Sequence, residues 1–209
     1  MLNFDKNINA VLKQYHKRIT HEDALMKSLQ IADGMKRRDE FLLSVGIETA
    51  IFLNTLVKSA KAKTILEIGT SYGYSTIWLA EAAKNTEGVV ISLENDSKKA
   101  AYAHKMLKKA GLSAYVDIRV GDALKTILEA KEQFDFVLVD LWKELYAPCF
   151  DLFYPKLNKG AWVAADNMIF PPHSQAETNN YRQRVIDTHA FDSVLLPIGS
   201  GIELSFLKN

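Results

Sequence analysis

Two aspartates, an asparagine and a lysine stand at the ends of two apolar runs of this sequence. Asp140 and Lys143 follow one run, and the pair Asp166-Asn167 follows the next one along the chain. An Asp-Asn pair alone is typical of a turn or a helix cap. Two carboxylates and a carboxamide at the carboxyl ends of neighbouring strands, however, are oxygen ligands that suit Mg²⁺ or a similar divalent ion. We therefore interpret Asp140, Asp166 and Asn167 as a candidate metal site, with Lys143 beside it.

A second stretch, residues 64–75, has the pattern of a buried strand that passes through a glycine turn into a helix. Its glycines, Gly69 and Gly73, are spaced G-x-x-x-G, which differs from the G-x-G-x-x-G of dinucleotide-binding turns. Glu67 stands just before the turn, where a carboxylate would repel phosphate but would suit an ammonium or sulfonium group. Glu94 ends the next predicted strand and is placed to accept hydrogen bonds from ribose hydroxyls. The pattern predicts a site for a nucleoside with a cationic tail, and S-adenosylmethionine is such a molecule.

These residues require strands that end side by side, and the order of the predicted elements supplies them. From residue 63 onward strands alternate with helices, which predicts an α/β fold with a Rossmann-like, doubly wound sheet. The predicted strands are 63–68, 88–94, 115–120, 134–140 and 160–166, and the predicted helices are 73–84, 96–110, 122–131, 144–157 and 175–187. A short turn at 199–201 predicts an antiparallel hairpin of strands 193–197 and 202–206, which gives seven strands, mostly parallel. Before the sheet, helical spacing predicts two helices within residues 5–33 and a third at 47–57.

Composition and charge limit the class of protein. The 209 residues are 48% hydrophobic and 24% charged, which predicts one globular domain over 1–209, with N-terminal helices in 1–60 and the sheet core in 61–209. The net charge of +1 gives no overall attraction to nucleic acid or anionic membrane, although Lys36 to Arg38 form a local basic cluster. The sequence has no leader-like N-terminus and no apolar run near the roughly 18 residues of a membrane span, so we expect a cytoplasmic protein. Cys149 is alone and reads as a buried apolar residue.

The candidate metal site lies within two motifs that resemble a known enzyme family. The block from Val139 to Tyr146, V-D-L-W-K-E-L-Y, is similar to the D-H-W-K-x-x-Y motif of catechol O-methyltransferases, and Ala165-Asp166-Asn167 is similar to their A-D-N. The glycine turn likewise resembles the first motif of class I methyltransferases. The resemblance runs from Leu43 to Leu207. It identifies the chain as a bacterial member of the metal-dependent O-methyltransferases of the catechol and caffeoyl-CoA type.

The resemblance also implies a reaction and a set of site residues. S-adenosylmethionine would donate a methyl group to a metal-bound hydroxyl of a small aromatic acceptor, either catechol-like or hydroxycinnamoyl. Asp140, Asp166 and Asn167 would hold the divalent metal, taken as Mg²⁺, and Lys143 would be the catalytic lysine. Cofactor contacts are implied at Val45, Glu67, Gly69, Ser75, Glu94, Asp122, Ala123 and Asp140. The N-terminal helices, which form dimers in this family, imply a homodimer.

The sequence alone leaves other functions open. Leu141 replaces the histidine of the catechol motif, and Pro197 replaces an acid that grips the second hydroxyl, which argues against catechol itself as the acceptor. Some bacterial relatives methylate a hydroxyl on a tRNA uridine, and the Lys36 to Arg38 cluster keeps tRNA open as a partner. A non-catalytic S-adenosylmethionine-binding protein is a further alternative. An NAD-dependent oxidoreductase is another, although the chain lacks the G-x-G-x-x-G turn after its first strand.

Overall fold

The described part of the chain, residues 4–28 and 40–208 of a computed structural model, is built on one seven-stranded sheet. The strands are β1 (Thr64–Ile68), β2 (Val89–Glu94), β3 (Val116–Val120), β4 (Phe134–Val139), β5 (Leu157–Ala165), β6 (Phe191–Leu196) and β7 (Ile202–Leu207). Their order across the sheet is β3-β2-β1-β4-β5-β7-β6. The first five strands pair in parallel, and β7 runs antiparallel to both β5 and β6. The predicted mostly parallel sheet with a C-terminal antiparallel hairpin is confirmed.

Helices cover both faces of this sheet. They are α1 (Lys6–Ser28), α2 (Ile47–Ser59), α3 (Tyr74–Thr86), α4 (Ser97–Ala110), α5 (Ala123–Glu129), α6 (Tyr146–Phe153) and α7 (Gln175–Asp187). Buried side chains of α5, α6 and α7 pack on one face of the sheet. Those of α2 and α3 pack on the other face, where α1 and α4 join α3 in a further apolar cluster. Because both faces are covered, the central strands are apolar along most of their length.

The strand order reverses between β1 and β4, which is the point where open α/β sheets bind ligands beyond the carboxyl ends of their strands. Four of the five residues of β1 are buried, and Glu67 is the one charged residue among them. In the parallel register Glu67 lies beside Ser92 of β2 and Leu138 of β4. The fold therefore brings the glycine turn, the end of β2 and the two candidate metal-ligand segments to one edge of the sheet.

The described residues depart from the predicted helices at two places, the N-terminal segment and the helix that precedes β5. The N-terminal pattern was expected to form two helices within residues 5–33. The described part of this range is one helix, α1, which continues without a break to Ser28, because residues 6–28 contain neither proline nor glycine. Residues 29–33 lie outside the described residues, so the second helix stays a prediction. Its residues Ile8, Val11, Leu12 and Tyr15 form one buried stripe. The helix expected at 144–157 ends at Phe153, since Pro155 lies in the short 3₁₀ turn that follows, and Leu157 already belongs to β5.

Other strand and helix ends agree with the predicted ones within two residues at most positions, and β5 begins three residues earlier than expected. The basic cluster Lys36 to Arg38 lies outside the described residues. Among the helices that the structure does describe, none combines the length and apolar character that crossing a membrane requires.

Candidate functional site

Backbone hydrogen bonds join the ends of β1, β4 and β5, and the chains approach so closely at Gly69 that no side chain fits there. The Asp140 amide donates to the Ile68 carbonyl at 3.0 Å, and the Asp166 amide donates to the Val139 carbonyl at 3.0 Å. Gly69 has a φ of +108°, and a Cβ atom on it would lie 2.0 Å from the Asp140 carbonyl oxygen. Only glycine fits there, because the added carbon would overlap the backbone of the next strand.

The turn after Gly69 is held by the predicted ribose-binding acid. Glu94 is 8% exposed, and its Oε2 accepts a hydrogen bond from the Ser71 amide at 2.6 Å. Its Oε1 accepts from the Asp96 amide at 2.9 Å. A carboxylate can accept about four hydrogen bonds, so Glu94 retains capacity for two hydroxyl donors. The structure therefore places Glu94 against the glycine turn, with both oxygens partly occupied by backbone amides.

Glu67 is fully buried and is surrounded by hydroxyl groups. Its Oε1 accepts from Ser75 at 2.5 Å, and its Oε2 accepts from Thr76 at 2.6 Å and from Ser92 at 2.5 Å. Burial raises the pKa of Glu67 to about 7, while the three hydroxyl donors act in the opposite direction. Two of the predicted cofactor residues, Glu67 and Ser75, are thus hydrogen-bonded to each other, and this contact links β1 to the first turn of α3.

The remaining predicted cofactor residues lie around this turn. Asp122 caps α5, since its Oδ1 accepts from the Lys125 amide at 2.8 Å, and Ala123 is the first residue of that helix. The adjacent Gly121 amide donates to the Glu94 carbonyl at 2.9 Å, which brings this loop to the end of β2. Val45 is buried two residues before α2 begins and three residues after Leu42, whose carbonyl accepts from the Ser71 hydroxyl at 3.3 Å. Val45 belongs to the same buried apolar cluster as Tyr74, the first residue of α3.

The two predicted metal-ligand aspartates, Asp140 and Asp166, form a buried acidic pair whose negative charge is only partly balanced by Lys143. Asp166 is 1% exposed, and its Oδ1 has no hydrogen-bond partner within the described residues. Burial raises the pKa of Asp166, and the nearby Asp140 carboxylate raises it further. Burial likewise raises the pKa of Asp140, with Lys143 acting against that shift. A buried, unpartnered carboxylate oxygen beside a second carboxylate is costly unless a cation balances it.

Lys143 joins these segments through its ammonium group. Its Nζ donates to Asn167 Oδ1 at 2.9 Å, to Tyr146 Oη at 2.6 Å and to the Leu141 carbonyl at 3.2 Å. Burial lowers the pKa of Lys143, and the neighbouring carboxylates oppose that change. Asn167 itself has a φ of 54°, a left-handed conformation that asparagine tolerates better than most residues. The structure therefore brings Lys143 and Asn167 into contact, and Asp140 and Asp166 lie close enough to raise the pKa of the lysine.

The donor set fits a divalent ion. Asp166 Oδ1 is free, Asp140 supplies a second carboxylate, and the carboxamide oxygen of Asn167 has one lone pair left after its bond to Lys143. Oxygen donors of this kind match the preference of Mg²⁺ and related ions.

Sequence reasoning missed several residues that hold the site. Tyr146 accepts from Lys143 and donates to the Asp166 carbonyl at 2.9 Å. In the sequence it appeared only as the last residue of the V-D-L-W-K-E-L-Y block, with no role assigned. Thr76 and Ser92 complete the hydroxyl cage of Glu67. Ser92 was a detectable signal, because it is a polar residue inside the apolar strand β2 at the register position of Glu67.

Comparison with known proteins identifies the family of this chain. A family model described as O-methyltransferase matches residues 14–206, which is most of the chain. The chain belongs to the O-methyltransferase family. The resemblance stated from the metal-site motifs is therefore confirmed at the level of the family.

Relatives of this O-methyltransferase family member include bacterial and eukaryotic proteins. A catechol O-methyltransferase of Niastella koreensis is 38% identical over 131 residues, which cover 61% of this chain and 59% of that protein. A catechol O-methyltransferase of Mycobacterium tuberculosis is 36% identical, over 61% of this chain and 58% of the relative. The chain thus spans less than two thirds of the length of these two relatives. A probable caffeoyl-CoA O-methyltransferase 2 of Dictyostelium discoideum is 24% identical and covers 91% of this chain and 94% of its own.

Solved structures share the fold of this family member. The O-methyltransferase TomG of Streptomyces achromogenes, solved in complex with SAM, superposes with a TM-score of 0.77 at 22% identity, over 100% of this chain and 92% of TomG. An O-methyltransferase of Bacillus cereus in complex with SAH has a TM-score of 0.75 at 24% identity, over 100% of this chain and 93% of its own. At these identities the likeness establishes the fold.

Proposed function

We propose that this chain is an S-adenosylmethionine-dependent O-methyltransferase that acts on a hydroxyl of a small aromatic acceptor, of catechol-like or hydroxycinnamoyl type. The observation that carries the proposal is the buried, unpartnered Oδ1 of Asp166 beside Asp140 and the Lys143–Asn167 contact. An acidic pair of this kind, at the edge of the sheet where the glycine turn lies, suits a divalent ion and an ionisable acceptor.

The binding turn is proposed to hold S-adenosylmethionine, which supplies the methyl group. Glu94 keeps two free lone-pair positions for the ribose hydroxyls, at the end of β2. Gly69 lets the backbone of the turn approach closely, and the loop around Asp122 and Ala123 adjoins the end of β2 where an adenine would follow the ribose. Glu67 is proposed to act mainly by fixing Ser75 and the start of α3, because its oxygens are already bonded to hydroxyls.

Asp140, Asp166 and Asn167 are proposed to hold the divalent ion, Mg²⁺ in the simplest case. When bound, such an ion would lower the pKa of the acceptor hydroxyl. Lys143 would accept the hydroxyl proton at Nζ or balance the charge that develops there, since its pKa is lowered by burial. Tyr146 and Asn167 orient Nζ through the hydrogen bonds that it already donates to them. Alignment of acceptor and methyl donor would contribute the remaining rate enhancement.

The names of relatives support the class of acceptor. Relatives 36–38% identical to this chain are named catechol O-methyltransferases, and others are named caffeoyl-CoA O-methyltransferases. Exposed apolar side chains that flank the two metal-ligand segments, Trp142, Ile169 and Phe170, would suit an aromatic ring. Leu141 and Pro197 replace two polar residues of the catechol motif, so we favour an acceptor other than catechol itself.

The test combines a binding measurement with an acceptor screen. Calorimetry should show that S-adenosylmethionine binds and that NAD does not. Methyl transfer should then be measured with Mg²⁺ for catechols, hydroxycinnamoyl thioesters and undermodified tRNA. Product from an aromatic acceptor supports the proposal. Preferential methylation of tRNA would replace the proposed acceptor class, and failure to bind S-adenosylmethionine would overturn the proposed function.

A further inference from the structure

The glycine turn has an unfavourable backbone conformation, which is held by hydrogen bonds from other segments of the chain. Gly69, Ser71 and Gly73 have φ values of 108°, 48° and 86°, so three of its residues have a positive φ, and Ser71 is the one among them that carries a side chain. Serine is strained there, since its Cβ crowds the following carbonyl oxygen. Strained residues at binding sites persist when surrounding contacts over-determine their conformation. One contact, from Glu94 to the Ser71 amide, belongs to the predicted cofactor site, and the others come from a different part of the chain.

Helix α1 reaches this turn directly. Tyr15 is 1% exposed, and its hydroxyl donates to the Tyr72 carbonyl at 2.6 Å, across 57 residues of sequence. Burial raises the pKa of Tyr15 well above its usual range, so the hydroxyl stays protonated and remains a donor. The Arg18 guanidinium lies 4.0 Å from the centre of the Tyr72 ring, one helical turn further along α1. The peptide between Tyr72 and Gly73 is therefore fixed by a helix that lies outside the sheet.

The same helix also holds the segment that leads to α2. Arg18 donates from Nε to Glu22 Oε1 at 2.5 Å and from Nη2 to the Glu40 carbonyl at 3.0 Å. Glu22 Oε2 accepts from the Leu42 amide at 2.7 Å. The Leu42 carbonyl in turn accepts from the Ser71 hydroxyl at 3.3 Å. These contacts close a circuit from α1 through residues 40–42 back to the turn.

We infer that α1 positions the cofactor turn, with Tyr15 as the principal positioning residue and the Arg18–Glu22 pair as the link to residues 40–42. The inference rests on the proposed function, because it concerns affinity for S-adenosylmethionine at that turn. Tyr15 touches the turn backbone and neither the acidic pair nor Lys143. Its loss should weaken cofactor binding by releasing a strained loop, with little effect on the chemical step once the cofactor is bound.

The experiment compares two substitutions in α1 that leave the helix sequence otherwise intact. Tyr15→Phe removes only the hydroxyl, whereas Val11→Ala removes two methyl groups from a neighbouring buried position that has no polar contact with the turn. Calorimetry with S-adenosylmethionine should show a Kd about two- to tenfold higher for Tyr15→Phe, which is the usual net effect of one hydrogen bond. Val11→Ala should lower the thermal stability at least as much while leaving Kd unchanged.

Amide hydrogen exchange supplies a second readout that a general loss of stability would not give. In Tyr15→Phe, protection should fall at residues 71–74 relative to the rest of α3, whereas Val11→Ala should not show this local change. If Tyr15→Phe does not fold, Arg18→Gln is measured with the same expected results. Wild-type Kd and wild-type exchange in the Tyr15→Phe variant, or equal weakening of binding in both variants, would overturn the inference. Absence of S-adenosylmethionine binding by the wild type would instead overturn the proposed function.

Discussion

Substitution of Gly69 by alanine tests whether the meeting of β1 and β4 is as tight as the structure indicates. A Cβ on Gly69 would lie 2.0 Å from the Asp140 carbonyl oxygen, whereas real Cβ contacts essentially never fall below 3.0 Å. The two strand ends must therefore separate by about 1 Å, the difference between these two distances. The φ of +108° adds backbone strain, because residues with a side chain rarely adopt it.

The expected loss of stability of Gly69→Ala is the sum of the steric overlap and the backbone strain. Overpacking typically costs about 1 to 3 kcal/mol, and a residue held in a sparsely populated backbone region costs about 1 to 3 kcal/mol. We expect the free energy of unfolding of Gly69→Ala to fall by about 3 to 5 kcal/mol. Gly111→Ala is the matched control, since Gly111 also has a positive φ, of +72°, but nothing lies within 4 Å of its added carbon. The control should lose only about 1 kcal/mol.

Guanidinium unfolding of both variants, followed by calorimetry with S-adenosylmethionine, makes the comparison. Gly69→Ala should also bind the cofactor more weakly, because separating the strand ends displaces Asp140 and the turn. Gly111→Ala should bind it as the wild type does. Equal unfolding free energies for the two variants, within about 0.5 kcal/mol, would refute the proposed close approach.

Three further predictions address individual side chains. Lys143→Met should lower kcat by about 10²- to 10⁴-fold with little change in S-adenosylmethionine affinity, because general-base assistance has this size. Steady-state kinetics would check this prediction, with Lys125→Met as the control at an exposed lysine. A wild-type kcat at neutral pH would contradict it. Glu94→Ala should raise the calorimetric Kd for S-adenosylmethionine at least about tenfold, because a hydrogen bond to a charged group contributes about 1.5 to 3 kcal/mol. The control Glu132→Ala removes an acid paired with Arg119 and should leave the Kd unchanged. Equal Kd values for the two variants would exclude Glu94 from the site. Glu67 has a folded-state pKa of about 7, above its usual 4.5, so its contribution to stability is complete below about pH 4.5 and is lost as pH rises to 7. Denaturation at several pH values should show wild-type stability falling relative to Glu67→Gln by about 1.4 kcal/mol per pH unit in that window, and a flat difference would refute the raised pKa.

The sequence was sufficient to predict the sheet and the edge at which the candidate site residues gather, because both depend on local pattern. Apolar runs that end in Glu94, Asp140 or Asp166 identified strands and the edge where they end, since carboxyl ends of parallel strands share one edge. The missing break in α1 shows the limit of periodicity. A stripe of buried residues defines one face of a helix, but it does not say where the helix ends when no proline or glycine is present.

Contacts between distant segments could not be predicted in the same way. Glu67 was expected to face a cationic ligand, but three hydroxyls from α3 and β2 bond its oxygens, and only the register of β1 and β2 reveals the Ser92 contact. The Tyr15 hydroxyl reaches the turn because α1 packs against α3 and α4, which depends on the assembled core. The free Oδ1 of Asp166 likewise follows from burial and not from residue type.

In the proposed mechanism, Asp140, Asp166 and Asn167 hold a divalent ion that methyl transfer requires. This metal requirement is tested by measuring methyl transfer from S-adenosylmethionine to the acceptor found in the screen, with enzyme that has been treated with chelator and checked for residual metal. We expect this enzyme to have almost no activity and added Mg²⁺ or a related divalent ion to restore it, because the bound ion would lower the pKa of the acceptor hydroxyl. Transfer at the original rate by the metal-free enzyme would show that the reaction does not need the ion.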